Sequence, residues 1–140
     1  MKVCIYGAGA IGGWIGVHLA QKGHQVSVVA RGLTLDALQQ KGLQCVQTHA
    51  PEARLSANVT VSADPADLGP QDLIIVAVKA PALATVAAQI GPLLGPHTVV
   101  LTAMNGVPWW FLQGFGGPVQ GRALHSIDPQ GEIARAISTP

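Results

Sequence analysis

The sequence predicts an α/β domain: a mostly parallel, doubly wound sheet with helices on both faces. Three observations carry that expectation. Short apolar runs (2–6, 25–30, 73–78 and 98–102) alternate with stretches of helical periodicity, which implies crossover connections between parallel strands. The run Leu73–Val78 is apolar throughout, as a strand buried on both faces requires. The first run passes directly into Gly7-Ala8-Gly9-Ala10-Ile11-Gly12, a G-x-G-x-x-G turn of the kind that opens a dinucleotide-binding, Rossmann-type unit.

Taken in order, Lys2–Tyr6 reads as the first strand. Gly7 then permits the tight turn and Gly9 lets backbone approach a pyrophosphate. Gly12 lets the next helix pack close to the sheet, while the helix N-terminus offers N–H groups to phosphate. That helix is expected over 10–22, with Ile11, Ile15 and Leu19 on its inward face and Gly23-His24 closing it. Gln25–Ala30 is the second strand. A helix over Leu33–Lys41 turns Leu35 and Leu38 inward and ends at Gly42. Leu43–Gln47 and Val59–Ser62 read as short strands around a polar loop, His49–Asn58. Asp64-Pro65-Ala66-Asp67 is a turn or a single helical turn, and Gly69-Pro70 punctuates the chain after it. Beyond Leu73–Val78, residues Leu83, Val86, Ala87, Ile90 and Leu94 keep helical spacing up to Gly95-Pro96, and Thr98–Thr102 reads as another buried strand. Pro108–Gln113 is expected to be a short helix. Ala123–Ile127 and Glu132–Ile137 are expected to form a hairpin-like pair around Pro129-Gln130-Gly131.

Composition bounds the function. A chain of 140 residues holds one domain with a real core, and residues 1–140 read as one nucleotide-binding domain. Hydrophobic residues make up 49% and charged ones 11%, against about 25% charged in ordinary domains. Together with Trp109-Trp110-Phe111, this predicts an exposed apolar patch and a two-fold homodimer. The net charge of +1 comes without a basic stripe, which argues against nucleic acid and anionic membranes as partners. Six glycines between residues 7 and 23 make a poor signal-peptide core, and no run approaches the roughly 18 apolar residues of a membrane span. Cys4 and Cys45 form no CxxC pair, so they read as buried free thiols in a reducing, cytoplasmic compartment. His18, His24, His49, His97 and His125 show no metal-ligand spacing, and no metal is expected.

In a doubly wound sheet, ligands bind beyond the carboxyl ends of the strands. After the second strand comes Arg31, 22 residues past Gly9, where a site built for NAD has Asp or Glu to accept from the ribose 2′-hydroxyl. A guanidinium there matches a 2′-phosphate in charge and fork geometry, and no acid occurs between Gln25 and Leu35. The expected cofactor is therefore NADP(H). Lys79 follows the 73–78 strand, where it could hold a phosphate, a ribose hydroxyl or a substrate carboxylate; an ordinary loop lysine would occupy the same place. Asn105-Gly106 follows the 98–102 strand and would also suit a plain tight turn. His125-Ser126 ends a predicted strand facing the same crevice.

Gly7-Ala-Gly-Ala-Ile-Gly12, Val29-Ala-Arg31-Gly32, Val78-Lys79-Ala80 and Met104-Asn105-Gly106-Val-Pro-Trp-Trp-Phe, in this order, resemble the N-terminal domain of ketopantoate reductases. The resemblance implies NADPH-dependent reduction of a 2-oxo acid, 2-dehydropantoate to pantoate in pantothenate biosynthesis or a related substrate. It places pyrophosphate on Gly7–Gly12 and the 2′-phosphate on Arg31. It puts Lys79 and Asn105 in the nicotinamide and substrate region, as the candidate catalytic pair. It also implies a second, helical domain beyond residue 140, supplying the lysine that acts as general acid. The rival function is a non-catalytic module that binds or senses NADP(H).

Overall fold

The computed structural model describes residues 1–47 and 50–139, in two compact units. The first comprises Met1–Val78 and Pro92–Ala103; the second comprises Lys79–Gly91 and the stretch from Met104 onward.

The first unit holds β1 (Lys2–Tyr6), α1 (Ala10–Gln21), β2 (Gln25–Val29), α2 (Gly32–Lys41), β3 (Leu43–Gln47), β4 (Ala50–Ala57), β5 (Thr60–Ser62), β6 (Leu73–Val76) and β7 (Val99–Thr102). Five strands form one sheet in the order β5-β2-β1-β6-β7, every neighbouring pair parallel. The fold is α/β and Rossmann-like, as the glycine turn and buried runs predict. Strand order reverses between β2 and β6 on either side of β1, the switch point at which such sheets bind ligands. The core follows from β-branched and aliphatic strand residues: Val3, Ile5, Val26, Val28 and Ile75 are buried together with Val17 of α1, Leu38 of α2 and Leu43 of β3.

Four expectations for this unit need correcting. Ile11 is 58% exposed; α1 instead turns Gly12, Gly13, Gly16 and Val17 inward. At Gly16 the helix lies too close for a side chain, since a Cβ there would stand 2.9 Å from Leu43 Cδ1 and 3.1 Å from Ile5 Cγ1. Residues 50–57, expected as loop, form a strand antiparallel to β3, with Leu43 opposite Ala57 and Cys45 opposite Leu55. Leu55 and Ala57 alternate with exposed Arg54 and Ser56, so the apolar face of β4 rests on the core while its polar face hides the pattern. His49 lies outside the described residues. The 98–102 run is an edge strand and not a buried one: in β7, Val99 is 59% and Leu101 48% exposed. Cys45 is half-buried, and only Cys4 is fully so.

The second unit contains α3 (Leu83–Gln89) and α4 (Glu132–Ala136), which pack together. The periodic run ends sooner than its spacing suggests. Residues 91–93 form a 3-10 turn, and Leu93, which belongs to the first unit, is buried where Leu94 is expected to be. Pro108–Gln113 makes successive hydrogen-bonded turns and no helix, with Phe111 N–H donating to Pro108 O at 3.1 Å and Gln113 N–H to Trp110 O at 2.8 Å. The expected hairpin at 123–137 is absent. Asp128, 6% exposed, accepts from the backbone N–H of Ile133 (3.2 Å) and Ala134 (2.9 Å), and this capping starts α4 where a second strand was expected. Trp109 is buried, while Trp110, Phe111 and Phe115 are exposed, so the aromatic cluster faces outward only in part.

Cys4 makes a pH prediction. Burial pushes its thiol up to about 11, against a smaller opposing effect from a hydrogen bond with Ser27. In the unfolded chain the thiol ionises near 9; in the folded chain it stays neutral to about 11. Its stabilising contribution is therefore intact below pH 9 and lost as pH rises toward 11, by about 2–3 kcal/mol at the limit. Denaturant melts of the wild type and Cys4→Ala at pH 7.5 and 10.5 are expected to show the variant losing less stability over that interval.

Candidate dinucleotide-binding site

The site in the first unit begins where β1 ends. Tyr6 is the last strand residue, and Gly7 follows with φ +102°, a conformation that L side chains rarely adopt. A Cβ on Gly7 would also stand 2.8 Å from Val78 Cγ1 and 3.0 Å from Ala77 O, so the turn is pressed against the chain leaving β6. Gly12 is packed more tightly still. Its Cβ would collide with the carbonyl oxygen of Gly7 and lie 3.0 Å from both Ala77 Cβ and Ile5 Cγ2.

Gly9 is the opposite case: no atom lies within 4 Å of where its Cβ would be. It caps α1 in extended conformation without any side-chain cap, and the first helical turn carries no acid. The first N–H groups of a helix have no partner within it and lie at its positive end, here that of a 12-residue helix. A turn open at Gly9, a helix N-terminus and no acid in its first turn fit a pyrophosphate. A groove of about 850 Å³ flanks the turn, lined among others by Ala8, Gly9, Ala10, Ile11, Trp14, Leu33 and Cys45. Arg31 is not among its lining residues, so the groove is not the whole path of a dinucleotide.

Arg31 stands two residues past β2, exposed, as the N-cap residue of α2. Parallel register sets Tyr6 beside Val29, which brings the ends of β1 and β2 level. The Arg31 guanidinium acts electrostatically on the Tyr6 phenol. Burial pushes the phenol up from its ordinary value, and the neighbouring guanidinium pulls the other way. Tyr6 escapes a reading of sequence because a strand-end tyrosine looks like one more core residue. Its one signal is a phenol amid aliphatics immediately before the glycine turn. An acid also approaches from β5: Asp64 acts electrostatically on Tyr6 while its Oδ1 accepts from Ala66 N–H at 2.9 Å.

The structure thus brings Gly7–Gly12 and Arg31 to neighbouring strand ends within one unit. Lys79 and Asn105 belong to the second unit. Lys79 is exposed, three residues past β6, and caps the 3-10 turn Ala80–Ala82 through its carbonyl, which accepts from Ala82 N–H at 2.9 Å. Asn105 is exposed, three residues past β7, and Gly106 beside it has φ +103°, the geometry of a tight turn. Among the described residues no group of three or more His, Cys, Asp or Glu is placed to hold a metal ion, and no helix is long and apolar enough to cross a membrane.

Residues 3–108 match the sequence model of the family described as ketopantoate reductase PanE/ApbA. The chain belongs to this family. It is 44% identical over 138 residues to a 2-dehydropantoate 2-reductase of Mesorhizobium japonicum, covering 98% of this chain and 41% of that protein. It superposes with a TM-score of 0.90 and 52% identity on the crystal structure of a protein assigned as a ketopantoate reductase from Ralstonia solanacearum MolK2, covering 97% of this chain and 41% of that one. A more distant neighbour is a D-mandelate dehydrogenase solved as a ternary complex with NADH and anilino(oxo)acetate (TM-score 0.67, 27% identity, 77% of this chain and 35% of that one). The chain therefore spans 41% of the length of the first two relatives.

Proposed function

We propose that this chain binds NADP(H) and forms the cofactor-holding part of a reductase that converts a 2-oxo acid to a 2-hydroxy acid, with 2-dehydropantoate the first candidate substrate. The observation that carries the reading is the bare, uncapped turn Gly7–Gly12 with Arg31 at the adjoining strand end. Gly9 and the N–H groups opening α1 would hold the pyrophosphate, with Ala8, Ala10 and Ile11 lining it. Arg31 would fork onto the 2′-phosphate. When bound, the cofactor supplies a hydride. Lys79 and Asn105 would orient the oxo acid, the ammonium on its carboxylate and the amide on its carbonyl oxygen. Family membership and the names of the relatives support a small oxo-acid substrate. A helical second domain carrying the general acid belongs to this proposal, as does self-association through the exposed Trp110, Phe111 and Phe115.

The test is a pair of titrations, NADPH and NADH, by calorimetry on the 140-residue chain. NADPH is expected to bind at least tenfold more tightly, about 1.4 kcal/mol. Equal affinities would remove Arg31 from its assigned role, and no binding of either would remove the turn from its own. Adding 2-dehydropantoate to the NADPH-loaded chain separates the reductase reading, which expects a heat of binding, from a module that only senses the nucleotide.

A further inference from the structure

We propose that the second unit holds a small-molecule site of its own, a cavity over Trp109 and Asp128 that takes a compact, neutral carboxamide. The cavity encloses about 250 Å³, and every residue lining it lies between 109 and 139, within that unit. Its lining includes two buried side chains, Trp109 at 5% and Asp128 at 6% exposed. The indole Nε1 of Trp109 is buried and finds no hydrogen-bond partner among the described residues. A buried N–H without an acceptor is costly, and an indole can only donate, so the missing group is an acceptor. Gln113, His125, Gln130 and Thr139, all exposed, complete the polar part of the wall with two amides, an imidazole and a hydroxyl. None of these side chains has a part in nucleotide binding as proposed above.

The two buried groups select the occupant's charge. Asp128 accepts from Ile133 N–H through one carboxylate oxygen (3.2 Å) and from Ala134 N–H through the other (2.9 Å), and each oxygen keeps a second lone pair. A carboxylate ligand would meet the indole but bring a second negative charge into a cavity that already holds one. An ammonium would suit Asp128 and leave the indole unmet. A carboxamide meets both without charge, its C=O accepting from Trp109 and its N–H donating to Asp128. Because Nε1 is shut from solvent, the exposed side chains of the wall have to give way as the ligand enters.

Propionamide, propionate and propylammonium are nearly equal in size and differ in charge. Each is titrated into the 140-residue chain without nucleotide, and the three indole N–H signals are followed by proton–nitrogen NMR. Trp14→Phe and Trp110→Phe, both at exposed positions, assign two of the signals and leave the third to Trp109. Propionamide is expected to move the Trp109 signal downfield, with saturation at about 1–50 mM, and the two charged compounds to bind at least about tenfold more weakly. Three results overturn the proposal. The Trp109 signal stays in place up to about 100 mM propionamide, or it answers all three compounds alike, or all three indoles move together, which marks a solvent effect.

Discussion

Gly9→Ala is expected to leave the first unit folded and to remove most NADPH binding, while Gly12→Ala is expected to damage both. The difference lies in what each new methyl meets. At Gly9 it meets nothing within 4 Å, and the backbone there (φ −72°, ψ −165°) is open to any residue. Stability should change by no more than about 0.5 kcal/mol, as for surface substitutions generally. The methyl would instead fill the concavity into which a pyrophosphate has to descend, and affinity should fall at least tenfold, about 1.4 kcal/mol. At Gly12 the methyl strikes the Gly7 carbonyl oxygen, a backbone atom that cannot step aside without opening the turn. Overpacking of this kind costs about 1–3 kcal/mol, more than the roughly 1 kcal/mol that alanine gains over glycine in a helix. Gly13→Ala is the control, since its nearest neighbours, Ala8 O and Leu43 Cδ2, stand at 3.7 and 3.9 Å. It should be neutral or slightly stabilising. Denaturant melts and NADPH titrations on the three variants decide the matter. Loss of folding in Gly9→Ala, or normal binding by it, would contradict the expectation.

Arg31→Asp is expected to invert the cofactor preference. On the proposed reading, a guanidinium that would attract a 2′-phosphate gives way to a carboxylate that would repel it and accept from a 2′-hydroxyl. A tenfold preference for NADPH should become a preference for NADH, a swing of about a hundredfold or 2.7 kcal/mol. Because Arg31 is exposed and caps α2 through its backbone, folding should be little changed. Titration with both nucleotides gives the answer. A variant that weakens both equally would point to a damaged α2 and away from readout of the phosphate.

Much of this architecture is legible in the residues, and the exceptions have physical causes. β1, β2 and β6 are readable because a parallel strand buried on both faces has no polar alternation to confuse it. The glycine turn is readable because its spacing is fixed, with Gly7 and Gly12 each answering a separate steric demand. β4 escapes notice because Glu52, Arg54 and Ser56 alternate with mostly small residues, and only Leu55 and Ala57 mark the side on the core. β7 reads as buried because Val99 and Leu101 are aliphatic, yet an edge strand has only one neighbour to cover it. The segment 123–137 misleads because β-branched residues suggest strands, whereas Asp128 supplies a cap that favours a helical turn. Of the candidate site, Gly7–Gly12 and Arg31 can be picked out from spacing alone. The placing of Tyr6 level with the end of β2 cannot, since it depends on register between residues 23 apart in the chain.

The glycine-faced helix also has a kinetic meaning. Gly12, Gly13 and Gly16 lie in the interior of a 12-residue segment, and each disfavours the isolated helix by about 1 kcal/mol relative to alanine. A helix this short is marginal in water even with ideal residues. α1 therefore has little reason to exist before β1 and the β3–β4 pair are in place to receive it, and it should consolidate after the transition state for folding. Its amides should exchange with solvent through partial openings that leave the strands paired. The close approach that shapes the glycine turn thus makes α1 dependent on the strands it packs against, and bound nucleotide should slow amide exchange there.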